Sequence, residues 1–408
     1  MSFVVTLGLV ALCTSVALVR PRRFGKAAYL LAVVVNELPH LAALYLVLAT
    51  VLAWAEGELH GVTALVLLAL VAATLVGHLE LGRRGLVAVA AVRRGLVRAD
   101  LRRARNPMGR CRWLGPLVAP LPVRPWRVRR ARGLSYGGHR RQRLDVYNLR
   151  HLREPGPVLV YLHGGGYFSG GKHREARALL QHFASRGWVC ISAGYRLRPG
   201  AGFTEHLSDA RAVVAWAHIH AGEHGGDPST LVMAGSSAGA HLTALCALTQ
   251  HLQPDPATSR VDAAVGLYGY YGRYYGRGPE ETPVSSPLHL DAASAPPFFL
   301  AHGDHDSYVP VEIAQAFERH LRSQSAHKVV YVELPGAQHG FDLFRSWRFS
   351  AVIDGIDTFL TDVQFPSPMR RDTGEHAQSR AERHSEPHHP EVTGLIDGTV
   401  ATSVPPGP

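Results

Sequence analysis

The sequence predicts an α/β domain, a mostly parallel sheet flanked by helices, preceded by an apolar helical membrane region. Three observations carry this reading. From about Gly133, short apolar runs of strand length alternate with helical patterns, as parallel sheets with crossover helices require. Several of those runs end in glycine-rich or acid-and-histidine clusters, at the carboxyl ends of strands where open α/β sheets build their sites. The excess of apolar content sits in the first hundred residues, in several long apolar runs.

Residues 3 to 19 are apolar without interruption and are followed by Arg20, Arg22, Arg23 and Lys26. No basic segment precedes the run and no small-residue cleavage site follows it, so it reads as a retained helix rather than a cleaved signal. The next run, AAYLLAVVV, is too short to span a bilayer alone and ends in the polar knot Asn36-Glu37, with Pro39 and His40 beyond it. Glu37 and His40 are expected to cap a helix at headgroup level. Two further runs, 41–55 and 62–76, each fall slightly short of the roughly 20 residues a spanning helix needs. The turn between them carries only Glu56 and Glu58, whereas basic residues follow the 3–19 run and the 62–76 run. The positive-inside rule then places the amino terminus outside and the rest of the chain on the cytoplasmic side. A monotopic anchor, with some runs lying along the interface, is the rival arrangement.

Residues 1–82 are therefore assigned to the membrane region, about three candidate spans, and 83–132 to an Arg-rich juxtamembrane segment. Fifteen arginines lie between Arg83 and Arg132 and dominate the formal charge of +11. Following directly on apolar runs, they fit an anionic lipid surface. A nucleic-acid partner is not expected, since neither a recognition fold nor interleaved stacking aromatics accompanies the charge. The α/β domain is drawn at 133–364. Beyond it, 365–408 is rich in Pro, Ser, His and charge and reads as a disordered tail, with His376, His384, His388 and His389 solvated rather than metal-ligating.

Within the domain, LDVYNL (144–149) alternates as a half-buried strand does, and PVLVYL (157–162) is continuous, as in a strand buried on both faces. A helical stretch (173–185), a strand (188–193), an amphipathic helix (204–220) and a strand (230–235) follow. A helix from Ser237 to about Leu252 comes next, then strands at 261–267, 297–301 and 328–333 with a helix between the last two. The four cysteines are far apart; Cys190 and Cys246 sit in apolar patterns and read as small buried hydrophobes.

The chemistry concentrates in four clusters. Gly235-Ser236-Ser237-Ala238-Gly239 is a G-x-S-x-G pattern between a strand and a helix, the context in which a tight turn thrusts the central serine out. His163-Gly164-Gly165-Gly166 closes the 157–162 strand, and consecutive glycines let backbone N–H groups approach a substrate oxygen. Gly165, Gly166 and Ala238 are the expected donors to an oxyanion. His302-Gly303-Asp304-His305-Asp306 ends a third strand, and His339 follows a fourth. Ser237 as nucleophile, His339 as base and Asp306 as orienting acid form the expected triad. Asp304 is the nearest competitor for the acid role; Asp306 is preferred because H-G-x-x-D-x-x-V-P places it in the turn before a helix. The tyrosine-rich stretch Tyr268 to Tyr275 either walls a substrate pocket or is surface loop.

Together HGGG, GSSAG, HGDHD and AQHGF make residues 140–362 resemble the α/β-hydrolase carboxylesterases, close to the hormone-sensitive-lipase-like group. The apolar amino-terminal region is similar to that of membrane-associated esterases of actinobacteria. The chain departs from the hormone-sensitive-lipase-like pattern at Ser236, usually Asp, and at Ala240, usually Gly. Its acid turn, with Val309-Pro310, looks more like that of the feruloyl-esterase and kynurenine-formamidase relatives. The resemblance implies the α/β-hydrolase fold and hydrolysis of short to medium acyl esters. No cofactor is expected, since neither a phosphate loop nor a metal-ligand set accompanies the site. Amide or formamide hydrolysis and acyl transfer use the same residues. A catalytically silent membrane-anchored interaction protein is the alternative of another class, disfavoured by the intact triad.

Overall fold

The computed structural model describes residues 2–19, 25–101, 110–278, 280 and 282–363. The amino-terminal part holds α1 (Phe3–Leu18), α2 (Gly25–Glu37), α3 (Pro39–Ala55), α4 (Gly61–Arg98) and α5 (Arg110–Val118). There follow β1 (Val128–Ser135), β2 (Arg143–Leu149), β3 (Gly156–Leu162), α6 (Arg177–Ala184), β4 (Val189–Ala193), α7 (Phe203–His220) and β5 (Gly226–Ser236). The chain continues with α8 (Ala238–Leu248), α9 (Pro256–Ser259), β6 (Ala263–Leu267), β7 (Phe298–Gly303), α10 (Val311–Gln324), β8 (Val329–Leu334) and α11 (Trp347–Asp362).

The eight strands form one sheet in the order β1-β2-β4-β3-β5-β6-β7-β8. Pairing is antiparallel at β1–β2 and β2–β4 and parallel at every later step. The period of two sorts the strand side chains to two cores. Val158, Val160, Leu162 and Met233 meet Val213, Leu245 and Phe317 of α7, α8 and α10 on one face. Leu159, Tyr161, Val232 and Val265 meet Leu179, Phe183, Phe349 and Ile356 of α6 and α11 on the other. Burial on both faces explains the apolar runs of β3, β4 and β6. The register aligns the strand ends. Leu162 of β3 pairs with Gly235 of β5, and Gly303 of β7 with Leu334 of β8, so the four motif-bearing strand ends share one edge of the sheet.

Two of the borders drawn from sequence fall inside elements. Helix α4 runs unbroken through 82/83, and its carboxyl-terminal half (Ala88, Ala91, Val92, Leu96) belongs to the same core as Val332 of β8 and Ile353 of α11. β1 begins at Val128, five residues before the drawn start of the domain; its sequence, VRRARGLS, hides a half-exposed edge strand among arginines. Nor are all the arginines free for an anionic surface. Arg83 and Arg84 pair with Glu80, and Arg130 reaches the buried Asp145. The tail drawn at 365–408, with its histidines, lies outside the described residues.

Helices α1, α3 and the first half of α4 pack together through Phe3, Leu7, Leu46, Ala53 and Val71, while Leu48, Leu65 and Leu79 remain exposed. Among the described residues, α4 is the single helix that is by itself long and apolar enough to cross a bilayer. α1 and α3, at 16 and 17 residues, reach only about 24–26 Å against a hydrocarbon core of about 30 Å. α2 and α3 meet at a bend of 88°.

Candidate active site

The turn after β5 is tight and strained. Ser237 adopts φ +53°, ψ −116°, a conformation that costs a non-glycine residue about 1–3 kcal/mol and persists only where its surroundings enforce it. The Ser237 N–H donates to the Leu267 carbonyl of β6 (2.9 Å), which anchors the turn. A Cβ on Gly239 would lie 2.1 Å from the Leu162 carbonyl oxygen, so the start of α8 presses on β3 and nothing larger than glycine fits. This is the steric meaning of the last glycine in G-x-S-x-G.

Ser237, His339 and Asp306 come together across the sheet edge. His339 Nε2 lies 3.0 Å from Ser237 Oγ, and its Nδ1 lies 2.7 Å from Asp306 Oδ2. The other Asp306 oxygen accepts the N–H groups of Tyr308 and Val309, each at 2.8 Å. Burial alone would raise the Asp306 carboxyl. The neighbouring His339 and the hydrogen bond from His302 outweigh it and hold the group well below the usual carboxylate range. Asp304 turns away and accepts the Gly336 N–H (2.6 Å), bracing the turn that carries His339. Gln338 stitches the two loops together, its Oε1 accepting from the N–H of Ser307 (2.7 Å) and of His339 (2.9 Å).

The glycine run after β3 lies directly beside this turn. Gly164 donates its N–H to the buried Glu175. Gly165 has φ +111°, and a Cβ there would fall 2.1 Å from the Ser169 carbonyl oxygen, so the loop requires glycine. Gly165, Gly166 and Ala238 line the same cavity as Ser237 and His339, a space of about 470 Å³.

The tyrosine-rich stretch walls the cavity at some positions and enters the core at others, where Tyr271 and Tyr274 are buried rather than surface loop. Tyr270 and Tyr275 wall the cavity, and Tyr268 packs edge-on against the His339 ring at 4.5 Å. Tyr271 instead stacks on Phe317 (4.2 Å), and Tyr274 turns its hydroxyl to His206 (3.1 Å).

Beneath the serine lies a second buried acid. Asp342 accepts from Ser236 Oγ (2.7 Å) and from the Tyr268 hydroxyl, and Ser236 in turn accepts from Tyr161 (2.8 Å). Burial, reinforced by the Glu175 carboxylate, lifts Asp342 to about 7 against the hydrogen bonds that favour its charge. Ser236, one of the two departures from the hormone-sensitive-lipase-like pattern, is thus occupied in a polar network under the nucleophile turn. Among the described residues, no cluster of His, Cys, Asp or Glu is arranged to hold a metal ion.

The BD-FAE family model matches residues 144–272. Esterase LipC of Mycobacterium tuberculosis is 35% identical over 283 residues, covering 62% of this chain and 70% of LipC. The chain belongs to the carboxylesterases of the α/β-hydrolase fold. The probable carboxylic ester hydrolase LipM of the same organism is also 35% identical, over 61% of this chain and 66% of its own. Among solved structures, the thermophilic esterase Est2 of Thermogutta terrifontis superposes with a TM-score of 0.51 at 25% identity. That match covers 58% of this esterase and 95% of Est2.

Several residues of the candidate site carry no signal in the sequence. Lys26, Tyr29 and Leu30 of α2 line the cavity although they lie more than two hundred residues from Ser237. The polar knot that ends α2 is the one clue, and its expected role at headgroup level is not what the fold gives it. Glu37 is buried in an ion pair with Arg348 of α11, Asn36 Nδ2 donates to the Gly336 carbonyl (3.0 Å), and the His40 ring packs on Trp347 (5.1 Å). Asp342 and Tyr167-Phe168 are nearer to hand, just beyond AQHGF and HGGG.

Proposed function

We propose that the protein is a membrane-associated serine carboxylesterase that hydrolyses short to medium acyl esters through an acyl-enzyme on Ser237. The observation that carries this reading is the relay from Ser237 through His339 to Asp306, at 3.0 and 2.7 Å, on the floor of an aromatic-walled cavity. With Nδ1–H directed at the ionised Asp306, the Nε2 lone pair faces Ser237 and takes its proton as Oγ attacks the ester carbonyl. Asp306 keeps the imidazole in that tautomer and stabilises the cation that forms. The N–H groups of Gly165, Gly166 and Ala238 receive the negative oxygen, with the positive end of α8 behind them. His339 then returns the proton to the leaving alkoxide, and water repeats the sequence to release the acid.

The solved relatives support the same chemistry. Est2 is known with butyrate bound and phosphonylated by cyclosarin, as expected of a small-acyl pocket and an activated nucleophile. The apolar helices, the basic residues after the 3–19 and 62–76 runs and the length of α4 support a membrane location with the catalytic domain on the cytoplasmic side. The test is hydrolysis of p-nitrophenyl esters from acetate to palmitate by the full chain and by Ser237→Ala. Turnover that peaks at short or medium acyl length and falls at least about 10⁴-fold in the variant supports the reading. Turnover of amide or formamide substrates in preference to esters would favour the amidohydrolase alternative. Absence of any turnover by the folded chain would favour an interaction protein.

A further inference from the structure

Helix α2 is fastened to both loops that carry the partners of Ser237. Ser307, next to Asp306, donates its hydroxyl to the Gly25 carbonyl (3.0 Å), and the Tyr308 ring meets Tyr29 edge-on at 5.2 Å. At the other end Asn36 holds Gly336, three residues before His339, and Glu37 is locked to Arg348. Between these fixings Tyr29 and Leu30 face the cavity, with the Tyr29 ring 6.2 Å from that of His339. Large hydrophobic side chains crowd the rim beside Lys26: Leu30, Phe168, Tyr275 and Tyr308 all line the cavity yet are 44–60% exposed. Soluble enzymes rarely leave so many large hydrophobic side chains around one opening. Val34, one turn along α2 from Leu30, is exposed as well, and at the 88° bend the chain passes into the apolar helix α3.

We propose that α2 is the specificity wall of the active site and that the site takes the acyl chain of an amphiphilic ester drawn from a lipid surface. The inference rests on the serine-esterase reading for its nucleophile but not on which ester is cleaved. Tyr29 and Leu30 supply the surface against which the acyl chain lies, and the exposed aromatic rim meets the lipid from which the chain is taken. The amino-terminal region is then part of the site as well as an anchor. The fixings to residues 307 and 336 explain why: a wall held by the acid and base loops keeps a fixed distance from the reacting serine.

The test uses the full chain in detergent micelles, labelled with an ethyl and with a dodecyl fluorophosphonate. Each buried methylene contributes about 0.8 kcal/mol, so removing the wall costs the long probe the equivalent of two or so. The dodecyl-to-ethyl ratio of labelling rates is expected to fall about tenfold in Tyr29→Ala/Leu30→Ala and to stay near the native value in Leu30→Met. Because ethyl labelling needs an assembled triad, it reports folding in each variant. A ratio within twofold of native in the double variant would overturn the wall. For the lipid surface, Leu30→Glu is expected to lower turnover of p-nitrophenyl dodecanoate in phosphatidylcholine vesicles at least tenfold relative to p-nitrophenyl acetate in solution. An unchanged ratio would overturn delivery from lipid. If the native chain takes the probes but cleaves no ester, the esterase reading fails while the probe ratio still decides the wall. A native chain that takes neither probe overturns both.

Discussion

Ser236 donates a 2.7 Å hydrogen bond to Asp342, so the residue before the proposed nucleophile is fastened to an acid three residues beyond the proposed base. The bond ties the turn after β5 to the loop after β8 from below, while His339 and Ser237 meet above it. The two loops therefore stay in register even when His339 lets go of the serine.

The raised Asp342 gives this tie a pH dependence with a definite sign. Its folded value, about 7, lies above the ordinary value of about 3.9 expected in the unfolded chain. Below the lower value both states are protonated and folding is not penalised. Between the two the folded state binds the extra proton, so stability declines as pH rises and levels off above 7. Asp342→Asn cannot titrate. Its melting temperature relative to the native chain is expected to rise by several degrees between pH 4 and pH 8; a difference independent of pH would remove the acid from this role.

Asp306 behaves in the opposite way, since its folded value is held below the ordinary one. Its contribution to stability is complete above about pH 4 and lost as the solution is acidified further. Asp306→Asn is expected to fold, because Asn can still accept from Tyr308 and Val309. It should lose about 10⁴-fold in kcat by presenting the wrong imidazole tautomer to Ser237. Circular dichroism and ester turnover on the same preparation separate the two effects.

Gly239→Ala tests the packing under the turn. A methyl placed 2.1 Å from the Leu162 carbonyl oxygen must push α8 off β3. Loss of soluble, folded protein is the expected outcome, read by expression and gel filtration.

Glu37→Ala leaves the Arg348 guanidinium, which is almost wholly buried, without its partner. Breaking a buried pair in this way costs about 3–5 kcal/mol. Thermal unfolding should show the loss, and the double variant with Arg348→Met should recover part of it.

The contrast between Ser237 and Tyr29 shows what a sequence does and does not disclose. The four site motifs are legible because each is local. A strand end, a glycine that only a tight turn needs and an acid or base beside it are written within five residues, and the parallel sheet brings the strand ends together. The sheet core is legible for the same reason, since β3, β4 and β6 are apolar but for Ser192 of β4. β1 is not, because an edge strand half in water can be built from arginines. Tyr29 and Leu30 look like any apolar helix, and their place at the cavity depends on Asn36 and Glu37 finding Gly336 and Arg348, three hundred residues away. Such pairings leave no periodicity to read. Charged residues beside apolar helix fit a headgroup level and a protein interface equally well.

The most direct measurement of the central claim is peptide mapping by mass spectrometry after treatment of the intact chain with a fluorophosphonate. A single adduct on the peptide containing Ser237, absent from Ser237→Ala and greatly slowed in His339→Ala, is the predicted result. A folded chain left unmodified, or modified at another serine with Ser237 untouched, would contradict the assignment of the nucleophile.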